Sequence, residues 1–171
     1  EYKDVGNGMD IDAEGNIFIS GYFEGTSFFG DAGQNRLVSK GDKDIFLAKY
    51  SPDGKLIWVR QFGATGNDQG LALKVDSKND IVIVGAFEGT VNFNPFANVS
   101  LEAEKSLFIA KYSNEGQLVW VNKLEGQNGL DRGAALALDI ASNAYVTGHF
   151  KSVASFEKSN AIGSMPCLCA R

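Results

Sequence analysis

An all-β fold follows from two features of this sequence. Short runs of β-branched and aromatic residues are bounded by Gly, Asn, Asp and Ser, and the whole pattern occurs three times along the chain. A four-stranded antiparallel unit repeated at this spacing, with inner strands apolar on both faces, is a β-propeller blade packed between neighbours. The 171 residues hold about two and two-thirds such blades, read as a single β-propeller segment over 1–171 with repeats near 4–67, 68–130 and a truncated 131–171.

The self-similarity is extensive. Asp12–Thr26 returns as Asp76–Thr90, and nine of the 18 positions in 12–29 are identical in 76–93. A weaker third copy, Asp139–Phe150, follows in the same phase. Phe46–Ser51 and Gly54–Val59 likewise match Phe108–Ser113 and Gly116–Val121.

Within the second repeat, strand one is Leu71–Val75 and strand two Ile81–Val84. Strand three is Leu107–Tyr112 and strand four Leu118–Val121. Tight turns at 12–16 and 51–55 join strands one to two and three to four, and Asp-Gly between apolar runs favours a hairpin. No segment shows a capped helical period. The surplus length over an ordinary blade lies between strands two and three, near 30–43, 94–105 and 157–165. Insertions of this kind read as loops, and loops carry function.

Composition narrows the functional classes. Hydrophobic residues at 44% and charged residues at 22% fit a folded chain. Twenty Gly, about 12% of the chain against roughly 7% on average, fit many tight turns. Sixteen basic and 21 acidic residues give a net charge of −5 without a basic cluster, which disfavours a phosphate-neutralising nucleic-acid surface. No apolar run approaches the ~20 residues of a membrane span. Glu1 is not an initiator Met, and no signal-peptide pattern follows it.

Gly15–Gly21, Asp44–Tyr50, Gly54–Trp58 and Phe62–Asp68 carry a resemblance to the SBBP (seven-bladed β-propeller) repeats of secreted and surface bacterial proteins. It covers essentially the whole chain. The third copy departs most, with Lys151–Val153 in place of Glu-Gly-Thr and Cys167–Arg171 where Ile-Phe-Leu-Ala-Lys stands earlier. The resemblance implies a structural repeat in a larger secreted or cell-surface protein and specifies no activity. Ser51–Trp58 and Ser113–Trp120 also resemble the Asp box of sialidase-like propellers, with Gly one place early, and Gly54–Trp58 the tryptophan-docking motif of quinoprotein propellers. Each of those motifs braces a blade and does no chemistry, so none implies catalysis.

Candidate reactive residues each have a plainer reading. His149, the one histidine, reads as a partly buried strand residue, with no nucleophile elbow to support a Ser-His-Asp arrangement. One His and two Cys are too few for a Cys/His zinc site. Cys167 and Cys169, two apart in a strand, share a face at about 6.6–6.8 Å, the outer limit for a disulfide, and read as a free or packed pair. Asp10, Asp12, Glu14 and Gly15 open like an EF-hand loop, but its twelfth position is Gly21, so a plain Asp/Gly turn is the better reading. Carboxylates suited to glycoside chemistry are Asp31, Asp42, Asp68, Glu102, Glu104 and Asp131. The recurring Asp4, Asp68 and Asp131 read as turn braces, and Lys49, Lys111 and Arg171 as blade-to-blade contacts, because a catalytic residue is needed once and not in every blade.

The function expected is therefore a non-enzymatic scaffold or binding module with no catalytic residues, metal or cofactor. The alternative is a polysaccharide-acting hydrolase or lyase built from the loops. A protein or glycan ligand is expected on the face of the long connections. Trp58 and Trp120 are expected to be buried at matching positions. Fewer than three blades cannot close a ring, so further blades or other chains are expected at the open ends.

Overall fold

The computed structural model describes residues 3–31, 34–94, 96–126, 135–147 and 154–156, and the described residues contain no α-helix. Blade one consists of β1 (Asp4–Ile11), β2 (Ile17–Phe23), β5 (Asp44–Tyr50) and β6 (Leu56–Phe62), antiparallel in that order. A separate hairpin, β3 (Thr26–Phe29) with β4 (Asn35–Val38), interrupts it in sequence. Blade two is β7 (Gln69–Val75), β8 (Ile81–Asn94), β9 (Val99–Tyr112) and β10 (Leu118–Gly126). The third blade is seen as β11 (Ala135–Leu138) and β12 (Ala144–Thr147). Its expected third strand lies outside the described residues. The architecture is thus the all-β, four-stranded propeller segment that the repeats predict.

The turns explain the regularity. In the first turn of each blade, one position takes a positive φ: Gly15 at 84°, Asn79 at 63° and Ser142 at 62°. That conformation suits Gly and, at some cost, Asn. Strands then pair in equivalent register, with Lys49 opposite Trp58 and Lys111 opposite Trp120.

β2 and β5 of blade one, and β8 and β9 of blade two, are apolar on both faces because both faces are covered, those of blade two by blades one and three and those of blade one by blade two and its own β3–β4 hairpin. Phe18, Leu47 and Phe62 of blade one meet Leu73, Ile83 and Tyr112 of blade two in one buried cluster. The other face of blade two sends Val82, Val84 and Ile109 against Leu136, Ala144 and Val146 of blade three. The first strands of neighbouring blades lie side by side. Asn7 Nδ2 donates to Gly70 O at 2.8 Å, and Val75 N to Asp10 Oδ2 at 3.0 Å. Gly8 is needed there, since a Cβ would come within 2.7 Å of Leu73 N.

The connections near 30–43 and 94–105 are not loops standing off one face. In blade two, β8 and β9 are each 14 residues long, paired through a bulge between Phe87 and Gly89. Beyond that bulge the hairpin doubles back over its own blade. Phe87 and Phe93, on the same strand, have ring centroids only 5.8 Å apart, and Phe93 lies 4.7 Å from Phe108. Tyr112 Oη, at the far end of β9, donates to Phe93 O at 3.0 Å. Blade one repeats the device with Phe29, whose ring lies 6.2 Å from Phe23 and 5.0 Å from Phe46. Positive φ at Gly25 (63°) and Gly89 (81°) permits the reversal, and burial of an alternate-position Phe drives it.

The folded-back hairpin also touches the preceding blade. Phe62 of β6 stacks on Phe93 at 6.2 Å and on Tyr112 at 5.0 Å. In the third repeat, β13 (Ala154–Phe156) pairs with β10, Leu124 opposite Phe156, so the sheet of blade two has five strands where four were expected.

Phe62 is 1% exposed, and Phe62→Ala is expected to cost about 3–5 kcal/mol in urea denaturation. Trp58 is half-buried, so Trp58→Ala is expected to cost measurably less. Equal losses would mean that the indole and the phenyl ring contribute alike to the blade boundary.

Candidate functional site

The rim of the short turns is occupied by bonds that recur from blade to blade. Asp12 Oδ1 accepts from Glu14 N and Asn16 N at 3.0 and 2.7 Å. Asp76 does the same with Lys78 N and Asp80 N, and Asp139 with Ala141 N and Asn143 N. The EF-hand-like opening at Asp10–Gly15 is thus an Asx turn. Burial raises the Asp12 carboxyl, but the bonds from Asn16 and Asn114 outweigh it and hold the group below its ordinary range. Asp76 is likewise lowered against its burial, chiefly by Lys111, whose Nζ lies 2.7 Å from Asp76 Oδ2 and 2.9 Å from Asp80 Oδ2.

Lys49 crosses the blade boundary as expected, donating from a nearly buried Nζ to Asn114 Oδ1. Lys111 does not: its ion pairs stay inside blade two, because position 80 is Asp where blade one has Asn16. Arg171 lies outside the described residues. Asn114 ties the rim together. Its Nδ2 donates to Asn79 O at 3.0 Å and to Asp12 Oδ2 at 3.4 Å, and its carbonyl accepts from Trp58 Nε1 at 3.1 Å. The signal for it in the sequence is the mismatch of Asn114 with Pro52 inside otherwise aligned turns.

Trp58 and Trp120 are half-buried, not buried. Trp58 packs on Phe18 at 6.2 Å, and its other side carries the Arg60 guanidinium at 5.2 Å. Its indole sits at the turn edge because its N–H must reach the Asn114 carbonyl.

The opposite rim carries recurring groups, such as Asp68 and the Lys43–Glu24 and Lys105–Glu88 pairs, together with one bend that does not repeat. Ser39–Asp44 forms a bend that blade two replaces with the continuous strand β9. It is bound to the link between blades: Lys43 N donates to Gly66 O at 3.4 Å, Asp68 N to Lys43 O at 3.0 Å, and Lys40 Nζ to Gly63 O at 3.2 Å. Between bend and link lies an open polar pocket of about 580 Å³, lined by Glu24, Ser39, Asp42, Lys43 and Asn67 with two glycines. Asn67 Nδ2 donates to Asp42 Oδ2 at 3.4 Å, and Lys43 Nζ sits 3.9 Å from Glu24 Oε1 and 4.6 Å above the Tyr22 ring.

Of the carboxylates singled out for glycoside chemistry, only Asp42 lines this pocket. Asp68 is fully buried, its oxygens taken by Ala64 N at 2.7 Å and Glu88 N at 2.9 Å, which is the bracing role expected of it. Asp4 accepts from Ser27 Oγ at 2.6 Å. Glu102 and Glu104 are exposed on β9, and Asp31 is exposed beside the β3–β4 turn. Asp131, His149, Cys167 and Cys169 lie outside the described residues. Among the described residues no group of three His, Cys, Asp or Glu side chains is placed to hold a metal ion.

Asp44, also fully buried, accepts from Lys40 N at 2.9 Å and Gln61 Nε2 at 2.7 Å. Burial pushes the Asp68 carboxyl up from 3.8 to about 6, with the charges of Asp44 and Glu88 adding to the effect against the two backbone bonds.

No family model matches the chain. Over 145 residues, 82% of its length, it is 31% identical to the regulatory protein FlaEY of Caulobacter vibrioides, of which that stretch is 15%. Over 94 residues, 52% of its length, it is 33% identical to the uncharacterized WD repeat-containing protein L264 of Acanthamoeba polyphaga mimivirus, of which that stretch is 7%. The chain therefore spans a small part of either relative. WD repeats are propeller blades of four strands, the unit seen here.

A raised Asp68 favours the folded state most below pH 3.8, and that contribution is lost as the pH rises through about 6. Asp12 and Asp76 are lowered groups whose contribution falls away only in more acid solution. Asp68→Asn is therefore expected to flatten the fall in stability between pH 4 and 6, read from denaturation midpoints at each pH. An unchanged slope would show that Asp68 does not titrate there.

Proposed function

We propose that the chain is a propeller-type binding scaffold without catalysis of its own, which takes a protein or glycan partner at the rim carrying the 39–44 bend. One observation carries this reading. The Asp and Lys residues that recur in the blades are consumed in turns and blade contacts, and even the Lys43–Glu24 pair of the polar pocket has its counterpart in Lys105–Glu88, whereas the bend that brings Ser39 and Asp42 to that pocket does not recur and opens to solvent. An amine held above a tyrosine ring, flanked by two carboxylates and an amide, suits a ligand rich in hydroxyl or charged groups. It offers no nucleophile paired with a base. The name of the mimiviral relative supports a propeller, and the resemblance to SBBP repeats supports a place in a larger secreted or cell-surface bacterial protein.

A glycan array and an array of peptides carrying acidic or basic segments test the reading. The combined variant Asp42→Ala, Lys43→Ala, Asn67→Ala is expected to lose at least tenfold in signal on whichever array binds the chain. Glu115→Ala on the opposite rim is expected to leave it unchanged. Binding that survives the pocket variant, or release of reducing sugar from a polysaccharide, would overturn the proposal.

A further inference from the structure

We propose that Lys49 and Asn114 react with each other to form an isopeptide bond, a covalent cross-link that fastens blade one to the turn between β9 and β10 of blade two. The site lies on the rim of the short turns, and it depends neither on the rim pocket nor on a ligand there.

Lys49 has the surroundings of a nucleophile. It sits on β5, inside its sheet, and is only 7% exposed. Its Nζ lies 5.3 Å from the centre of the Phe18 ring, and among the described residues no carboxylate oxygen comes within 4 Å of it. Its polar partner is the side-chain amide of Asn114, which it meets through Oδ1. An amine taken out of water beside an aromatic ring, with no counter-charge in contact, is primed to attack a carbonyl carbon.

The repeat supplies a control. Lys111 holds the same place in blade two, but its Nζ is paired with Asp76 at 2.7 Å and with Asp80 at 2.9 Å. Blade one has Asn16 where blade two has Asp80, and blade two has Asn114 where blade one has Pro52. The first difference takes a counter-charge away from Lys49. The second brings an amide to it.

Asn114 is held for the reaction. Its Nδ2 donates to Asn79 O at 3.0 Å and to Asp12 Oδ2 at 3.4 Å, and its backbone carbonyl accepts from Trp58 Nε1 at 3.1 Å. Asp12 is itself fixed by bonds from Glu14 N, Asn16 N and Asn16 Nδ2. Amine, amide and carboxylate from two blades therefore converge. Reactants fixed in contact escape the entropic cost of meeting.

The step balances without a co-reactant. The Lys49 ammonium sheds one proton to water, and the neutral Nζ attacks Asn114 Cγ while the carbonyl electron pair moves onto Oδ1. Nζ then shares that carbon with Nδ2 and comes within reach of Asp12 Oδ2, which relays a proton from Nζ to Nδ2. The carbonyl reforms, the Cγ–Nδ2 bond breaks with its electron pair, and ammonia leaves and takes up a proton. One ammonium and one carboxamide have become one secondary amide and one ammonium ion.

Mass spectrometry of the denatured, unmodified chain tests the proposal. The chain is expected to be lighter than its sequence by one ammonia. Trypsin is expected to leave Lys49 uncut, to cut after Lys111, and to release a branched peptide joining 44–55 to 112–123. Lys49→Arg and Asn114→Ala are each expected to restore the full sequence mass and to lower the unfolding midpoint. Asp12→Asn keeps an acceptor for the turn and is expected to lower the cross-linked fraction of freshly made protein at least about tenfold. An intact mass with nothing missing, or an unbranched 44–49 peptide in full yield, would overturn the proposal. So would an ammonia loss that persists in Lys49→Arg, since a cyclic imide at an asparagine would then account for it. Equal cross-linking in Asp12→Asn would overturn the role given to Asp12. Should a variant fail to fold, the branched peptide of the unmodified chain decides the matter by its presence or absence.

Discussion

The Phe62 side chain projects out of its own sheet into the aromatic layer of the next, stacked on Phe93 and Tyr112. Much else in the molecule is arranged around that crossing. A four-stranded sheet that is apolar on both faces cannot hide itself, and association with a neighbour is the only way to remove both faces from water. The hairpin that folds back in each blade thickens the receiving face so that one side chain from the fourth strand seals it. Fully buried rings are the largest apolar surfaces available for the purpose, and pairs of them add directional energy beyond area alone.

The polar residues complete the same joint at its rims. Asn114 gathers Lys49, Asp12, Asn79 and Trp58 at one end, and Asp68 joins the interblade link to Glu88 at the other. Groups satisfied in this way are committed to structure, and burial without those bonds would be costly. That leaves chemistry to what does not recur. The 39–44 bend interrupts the pattern of blade one and creates the polar pocket described above, on the rim away from the short turns. A repeat fold that commits its recurring positions to assembly and varies an insertion for recognition keeps stability and specificity on different residues.

Much of this was legible in the sequence. The repeat period, the four strands and the Asp-centred turns follow from spacing and residue type alone. The role of the recurring Asp and Lys as braces followed from their recurrence, and it holds for Asp68 and Lys49. It fails for Lys111, where a single change from Asn16 to Asp80 redirects the amine into its own blade. The folding back of the long connection was not legible. Glu-Gly-Thr reads as a loop start, and only the contact of Phe29 or Phe93 with residues far along the chain reveals that Gly25 and Gly89 reverse the strand. The half-burial of Trp58 escaped for a related reason: its N–H has a partner in the next blade, 56 positions away. The rim pocket was foreshadowed only by Asp42, since Glu24, Lys43 and Asn67 reach it from separate segments that only the interblade link brings together.

A double-mutant cycle on Phe62 and Phe93 measures the crossing itself. Phe62→Ala, Phe93→Ala and the pair together, compared by urea denaturation, isolate the coupling across the blade boundary from the cost of each cavity. Rings stacked as these are should couple by about 1 kcal/mol. Losses that simply add would contradict the account, because blade one would then be held to blade two by something other than the aromatic side chain that joins them.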